Sequence, residues 1–223
     1  MDNISLYEDI KARTGGEIYL GVVGPVRTGK STFIRRFMDL CVIPSILDPN
    51  EKKRIIDELP QAGVGKTVMT TEPKFIPKTG IEIPLSNNVK AKFRLIDCVG
   101  YIVDSAQGVY EDDKERLVKT PWFDENIPFS KAAQTGTEKV IRDHSTIGIV
   151  MTTDGSIGEF TRDDYISAEE KAIMELKKIK KPFIVIVNST FPASDFTRKI
   201  ACLLYTSDTA DEARSVDLGG RRI

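Results

Sequence analysis

The sequence predicts a three-layer α/β fold built on a mostly parallel sheet. Short apolar runs alternate with amphipathic helical stretches along the chain, the rhythm of such folds. The first run, Glu17 to Val23, leads straight into a glycine-rich turn and then a helix. A later run, Lys92 to Asp97, ends on an aspartate. Open α/β sheets bind ligands outside the carboxyl ends of their strands, where both features fall.

The elements follow in order. Met1 to Ala12 reads as a short leading helix. After the first strand, Phe33, Ile34, Phe37 and Leu40 recur at helical spacing and carry a helix to about Cys41. Pro44 and Pro49 break that pattern, and Asp48-Pro49-Asn50-Glu51 starts a second helix through Leu59. A glycine-rich loop then runs to Pro73. Lys74 to Ile76 and Ile81 to Ile83 read as two short strands around the turn Lys78-Thr79-Gly80. Gly100 to about Gln134 is irregular, and its acidic cluster from Glu111 to Glu115 reads as a solvated loop. A short helix over Thr135 to Arg142, a strand over Thr146 to Met151, a helix over Ser167 to Lys178 and a strand over Pro182 to Val187 complete the alternation.

The last stretch breaks it. Cys202 to Ser207 back-translates as TGT CTC TTA TAC ACA TCT, which resembles a transposase end sequence used in sequencing libraries. The expected organisation is therefore one domain over 1–200 and a non-native, adapter-derived tail over 201–223, with the natural protein continuing beyond.

Composition narrows the function classes. With 32 basic and 33 acidic residues the net charge is −1, which argues against a nucleic-acid partner. No apolar run reaches transmembrane length, and the N-terminus has no secretion signal, so a cytoplasmic location is expected. Cys41, Cys98 and Cys202 are too scattered for a metal or disulfide pattern. The single histidine, His144, reads as a polar residue just before a strand.

Gly24-Pro25-Val26-Arg27-Thr28-Gly29-Lys30-Ser31 is a complete Walker A phosphate loop, with Thr32 following in the helix. Its backbone N–H groups converge on phosphates, and the helix N-terminus adds positive potential. Lys30 is placed to reach the β- and γ-phosphates, and the Ser31 hydroxyl to bind Mg²⁺. Gly63-Val64-Gly65-Lys66-Thr67 mimics the end of such a loop, but Pro60 stands where the first glycine belongs and no strand precedes it.

Asp97-Cys98-Val99-Gly100 has the DxxG spacing of a Walker B/switch element. Asp97 would hold Mg²⁺, and the Gly100 N–H would meet the γ-phosphate. Cys98 reads as a packing residue, since no histidine lies near it in sequence. Thr70 and Thr71 lie where P-loop switch proteins keep a threonine that completes Mg²⁺ coordination and senses the γ-phosphate. The fold is thus that of a P-loop NTPase.

Two departures refine the nucleotide. Switch GTPases end the relevant strand in Asn/Thr-Lys-x-Asp, whose aspartate reads guanine. This chain has Val187-Asn188-Ser189-Thr190, which keeps Asn188 as a nucleotide-binding candidate but lacks the Lys and Asp. Without that carboxylate, guanine loses its paired hydrogen bonds and ATP becomes the expected substrate. Tyr101 stands where many such GTPases carry the water-orienting glutamine. Gln107 and the Thr70/Thr71 pair are the alternatives, and the sequence does not choose between them.

Six stretches are similar to the N-terminal domain of the stage IV sporulation protein A family. They are Gly24 to Ser31, Met69 to Phe75, Thr120 to Asp124, Asp143 to Gly148, Thr152 to Ser156 and Val187 to Thr190. The resemblance covers about Met1 to Ile200 and implies a fold similar to that of translation-factor-class GTPases. It implies a spore coat morphogenetic ATPase whose hydrolysis drives self-assembly into a polymer on the forespore surface, in the mother-cell cytoplasm. It further implies coat proteins and a small amphipathic membrane peptide as partners, met through regions mostly absent from this chain. By the same resemblance Lys30 is the Walker A lysine, Asp97 the Walker B-like aspartate, and Thr70 and Thr71 the nucleotide-sensing threonines. A GTPase of the translation or ribosome-assembly type is the alternative.

Overall fold

The computed structural model describes residues 16–60, 72–86, 89–103, 106, 109–111 and 114–209. The expected leading helix, the Gly63–Thr67 loop, Thr70, Thr71 and Gln107 lie outside the described residues.

A five-stranded sheet organises the chain. Its strands are β1 (Glu17–Val23), β2 (Lys74–Ser86), β3 (Val89–Asp97), β8 (Ile147–Thr153) and β9 (Phe183–Asn188), in the order β2-β3-β1-β8-β9. β3, β1, β8 and β9 are mutually parallel, and β2 is an antiparallel edge strand. The parallel strands therefore end at one edge, where Val23, Asp97, Thr153 and Asn188 deliver their loops.

Alternation within the strands splits the core in two. Val22, Leu95, Ile149 and Met151 pack one face of the sheet; Val23, Ile96 and Val150 pack the other. The first face is covered by α1 (Lys30–Phe37), its continuation Met38–Val42 and α2 (Pro49–Glu58), through Ile34, Met38, Val42 and Ile55. The second is covered by α3 (Phe129–Lys139), its continuation Val140–His144 and α4 (Arg162–Lys178), through Phe129, Val140, Tyr165, Ala172 and Leu176. A strand buried on both faces must be apolar at successive positions, as Val22-Val23 of β1, Leu95-Ile96 of β3 and Ile149–Met151 of β8 are. The expected three-layer α/β class is the observed one.

Several boundaries differ from expectation for local reasons. The two short strands around Lys78–Gly80 are one strand, β2, whose pairing with β3 breaks between Ile76 and Ile81. Pro77 has no N–H for the ladder, and the Lys78 N–H leaves it to donate to Glu58 Oε2 at 2.8 Å. The stretch read as irregular holds two hairpins, β4 (Tyr110–Glu111) with β5 (Lys114–Glu115) and β6 (Leu117–Thr120) with β7 (Phe123–Pro128). Helix α3 starts at Phe129, six residues before the expected Thr135, because Phe129 and Ala132 are core residues. Helix α4 starts at Arg162 rather than Ser167. Thr161 and Asp164 form a capping box there, with the Thr161 N–H donating to Asp164 Oδ2 at 2.7 Å. The last helix, α5 (Asp195–Thr209), runs through the position where the tail was expected to begin. His144 ends its helix packed edge-on against Phe75, 5.6 Å between centroids.

Candidate nucleotide site

The phosphate loop sits at the carboxyl end of the central strand. Gly29 takes φ 88° and caps α1. Its left-handed conformation lets the chain turn from loop into helix while the first N–H groups of α1 face outward. Side chains brace the curve from inside: Thr28 Oγ1 donates to Pro25 O at 3.0 Å, and Lys30 Nζ donates to the same carbonyl at 2.5 Å. Lys30 is 5% exposed. Burial pushes its ammonium below the usual lysine range, and Asp97 nearby works the other way.

The β3 turn closes on this loop. The Tyr101 N–H donates to Gly24 O at 3.0 Å, and the Val26 N–H to Tyr101 O at 2.9 Å. Gly100 passes between them at φ 94°. A Cβ there would lie 2.2 Å from Gly24 O and 2.6 Å from Lys30 Nζ. Gly100 is thus required by contact as well as by conformation. Ser31 Oγ donates to Asp97 Oδ2 at 2.7 Å. The second oxygen, Oδ1, is buried without a hydrogen-bond partner. Burial raises the Asp97 carboxyl, against the Ser31 hydrogen bond and the Lys30 charge.

An orphaned carboxylate oxygen beside a serine hydroxyl fits a divalent cation. Among the described residues no cluster of three or more His, Cys, Asp or Glu exists. One carboxylate and one hydroxyl are still the kind of sparse set that Mg²⁺ takes alongside substrate phosphates and water. The residues present therefore fit Mg²⁺ better than a metal caged wholly by protein.

The predicted residues divide clearly. Gly24, Pro25, Val26, Arg27, Thr28, Gly29, Lys30, Ser31, Asp97 and Gly100 converge on one loop pair, with Thr32 exposed in the first turn of α1. Asn188 joins them: its Nδ2 donates to Thr28 O at 3.1 Å, and a Cβ on Gly29 would lie 2.5 Å from it. Cys98 is a packing residue as expected, buried with its thiol pushed up to about 11 by desolvation. Tyr101 does not occupy a water-orienting position. Its ring is in the core, 4% exposed, and only its backbone serves the site. The apolar run Tyr101-Ile102-Val103, all three in or against the core, was the sequence signal for this.

Sequence reasoning assigned no role to Asp154, which directly follows β8, close to the position Asp97 holds at the end of β3. Asp154 Oδ2 accepts from Ser189 Oγ at 2.5 Å and Thr197 Oγ1 at 2.6 Å; Oδ1 accepts from the Ser156 N–H at 3.0 Å and its Oγ at 2.6 Å. Burial opposes ionisation, but these hydrogen bonds outweigh it and hold the carboxyl far below the usual range. Beneath it, Arg162 pairs with buried Glu169 through contacts of 2.8 and 2.7 Å.

A separate cleft of about 740 Å³ lies by the amino ends of β8 and β9, lined by Tyr19, Phe75, Arg94, His144 and Lys181 among others. Its main cations are already engaged. Arg94 pairs with Glu17 at 3.2 Å, and Lys181 Nζ donates to Ser145 O at 2.6 Å. The chemistry gathers at the other edge.

Known proteins bear on this geometry. The family described as stage IV sporulation protein A, ATPase domain, matches residues 1–211. Proteins named stage IV sporulation protein A are similar to the chain: that of Clostridioides difficile at 56% identity over 195 residues, and that of Bacillus subtilis at 53% over 192. These alignments cover 87% and 86% of this chain but 40% and 39% of the relatives, so the chain spans about two fifths of their length. Two crystal structures of SsGBP variants align at 15% and 16% identity with a TM-score of 0.40, over 92% of this chain and 49% of theirs, too loose a likeness to bear on the fold.

Proposed function

The chain belongs to the ATPase-domain family of stage IV sporulation protein A, and from that premise we propose that it binds and hydrolyses ATP to drive polymerisation of the spore coat base layer around the forespore. The observation that carries the reading is the joint between the two motifs: Lys30, Ser31, Asp97 and Gly100 share one corner, with Ser31 bonded to Asp97 and Gly100 packed against Lys30. The missing Lys and Asp after Asn188 favour ATP over GTP.

The residues divide the work by position and charge. Loop N–H groups and the start of α1 receive the phosphate oxygens. Lys30 exchanges the Pro25 carbonyl for a phosphate oxygen, so its buried ammonium moves little on binding. Ser31 Oγ and the free Asp97 Oδ1 would hold Mg²⁺. Mg²⁺ held there would supply positive charge to offset that developing on the phosphate oxygens. The Gly100 N–H supports the γ-phosphate side, and an in-line water completes the displacement. Tyr101, with its ring in the core, is set aside as the residue that orients this water. Thr70, Thr71 and Gln107 remain the candidates, with Thr71 the further Mg²⁺ ligand.

The assembled polymer in the mother-cell cytoplasm, the coat proteins and the small amphipathic membrane peptide belong to the same proposal. Among the described residues no helix is long and apolar enough to cross a membrane. Sedimentation of the chain with ATP, beside Lys30→Ala, tests the assembly step. ATP-dependent pelleting lost in Lys30→Ala supports it; a variant that pellets like the parent with ATP contradicts it.

A further inference from the structure

The phosphate loop accounts for a triphosphate and leaves the base without a site. We propose that the side chain of Phe191 is the platform on which the purine base stacks, held in place by the hydroxyl network around Asp154. The inference rests on the nucleotide reading above.

Position is the first observation. β9 lies two strands from β1, a span of about 10 Å. Its end is tied to the phosphate loop, since Asn188 Nδ2 donates to Thr28 O and touches the space above Gly29. Phe191 is three residues further along, on the same carboxyl edge. A nucleotide with phosphates at Gly24–Lys30 that extends along this edge toward β9 brings its base to the Ser189–Phe191 segment.

The second observation is how this segment is built. Ser189 Oγ donates to Asp154 and accepts the Phe191 N–H at 2.9 Å. Ser156 Oγ donates to Asp154 and accepts the Thr190 N–H at 2.8 Å. Thr190 Oγ1 returns a bond to Ser156 O at 3.0 Å, and the Ser194 N–H donates to Phe191 O at 3.0 Å. The backbone under Phe191 is therefore fixed from both sides, while its ring stands 67% exposed. A large apolar side chain on so pinned a backbone loses little freedom when a flat ligand covers it. Stacking accepts any purine. Phe191 stands where a guanine-reading aspartate falls in the Asn/Thr-Lys-x-Asp pattern, so the same position withdraws the extra bonds that would favour guanine.

The test compares ATP with inorganic tripolyphosphate, which has the phosphates and no base, by calorimetric titration of the full chain with Mg²⁺. Phe191→Ala is expected to weaken ATP binding about tenfold and leave tripolyphosphate binding unchanged. Phe191→Trp is expected to restore ATP affinity, and Phe196→Ala, another exposed aromatic on α5, to change neither. Unchanged ATP affinity in Phe191→Ala, or equal loss for both ligands, overturns the proposal. Lys30→Ala is the separate control on the phosphate loop: if it keeps tripolyphosphate affinity, the nucleotide reading itself fails, whatever Phe191 does.

Discussion

At the β1/β3 end of the carboxyl edge, two loops hold each other by backbone hydrogen bonds around a buried lysine and a half-buried aspartate. At the β8/β9 end, one aspartate gathers hydroxyls from three segments and leaves an aromatic ring in the open. Both ends use a carboxylate at or directly after the end of a strand, yet their electrostatics are opposite. Desolvation raises the Asp97 carboxyl against the Ser31 hydrogen bond and the Lys30 charge, and its Oδ1 has no side-chain hydrogen-bond partner. Four hydrogen bonds hold Asp154 low. The contrast lies in how far each carboxylate is satisfied: one oxygen of Asp97 has no hydrogen-bond partner, while both oxygens of Asp154 are engaged.

Asp97→Asn breaks the comparison most severely. Phosphate release is expected to fall about a thousandfold, for any nucleoside triphosphate. Thermal melting of the ligand-free variant should rise, because the buried charge is gone and Ser31 keeps an acceptor; a lower melting temperature would mark Asp97 as structural. Next is Glu169→Gln, which leaves Arg162 without its buried counter-charge beneath the β8 end. Loss of about 3 kcal/mol in urea unfolding is expected, with tripolyphosphate affinity intact in the folded fraction. Gly100→Ala should lose about 2 kcal/mol of stability and weaken all phosphate ligands alike, since its Cβ meets Gly24 O and Lys30 Nζ. Calorimetry with ATP and tripolyphosphate reads both effects.

Asp154→Asn is the mildest, about 1 kcal/mol at neutral pH, and it carries a pH signature. A carboxyl held low in the fold stabilises fully above its unfolded value, near pH 4, and loses that contribution as pH falls. The gap between parent and Asp154→Asn in melting temperature should therefore narrow below about pH 4. A gap that stays constant down to pH 2 would mean the low carboxyl contributes nothing.

The same contrast governs what could be read from sequence. The phosphate end was legible because backbone amides and one lysine bind phosphate in a fixed spacing, so Gly24–Ser31 and Asp97–Gly100 carry their geometry with them. β1 and β8 were legible because burial on both faces favours near-continuous apolar runs, and β3 because its alternation from Lys92 to Arg94 turns apolar at Leu95-Ile96, where the strand enters the core. The hairpins after Val109 were not: β4 and β5 are two residues each, and β6 exposes Leu117 on its outer side. Nothing local marks Asp154 as a hub either, because its partners Ser189 and Thr197 are 35 and 43 residues away.

Phosphate release from ATP and from GTP, measured on the full chain with Mg²⁺ and beside Lys30→Ala, tests the central claim most directly. Release from ATP well above that from GTP, abolished in Lys30→Ala, is the predicted result. Preference for GTP, or ATP turnover that survives loss of Lys30, would contradict it.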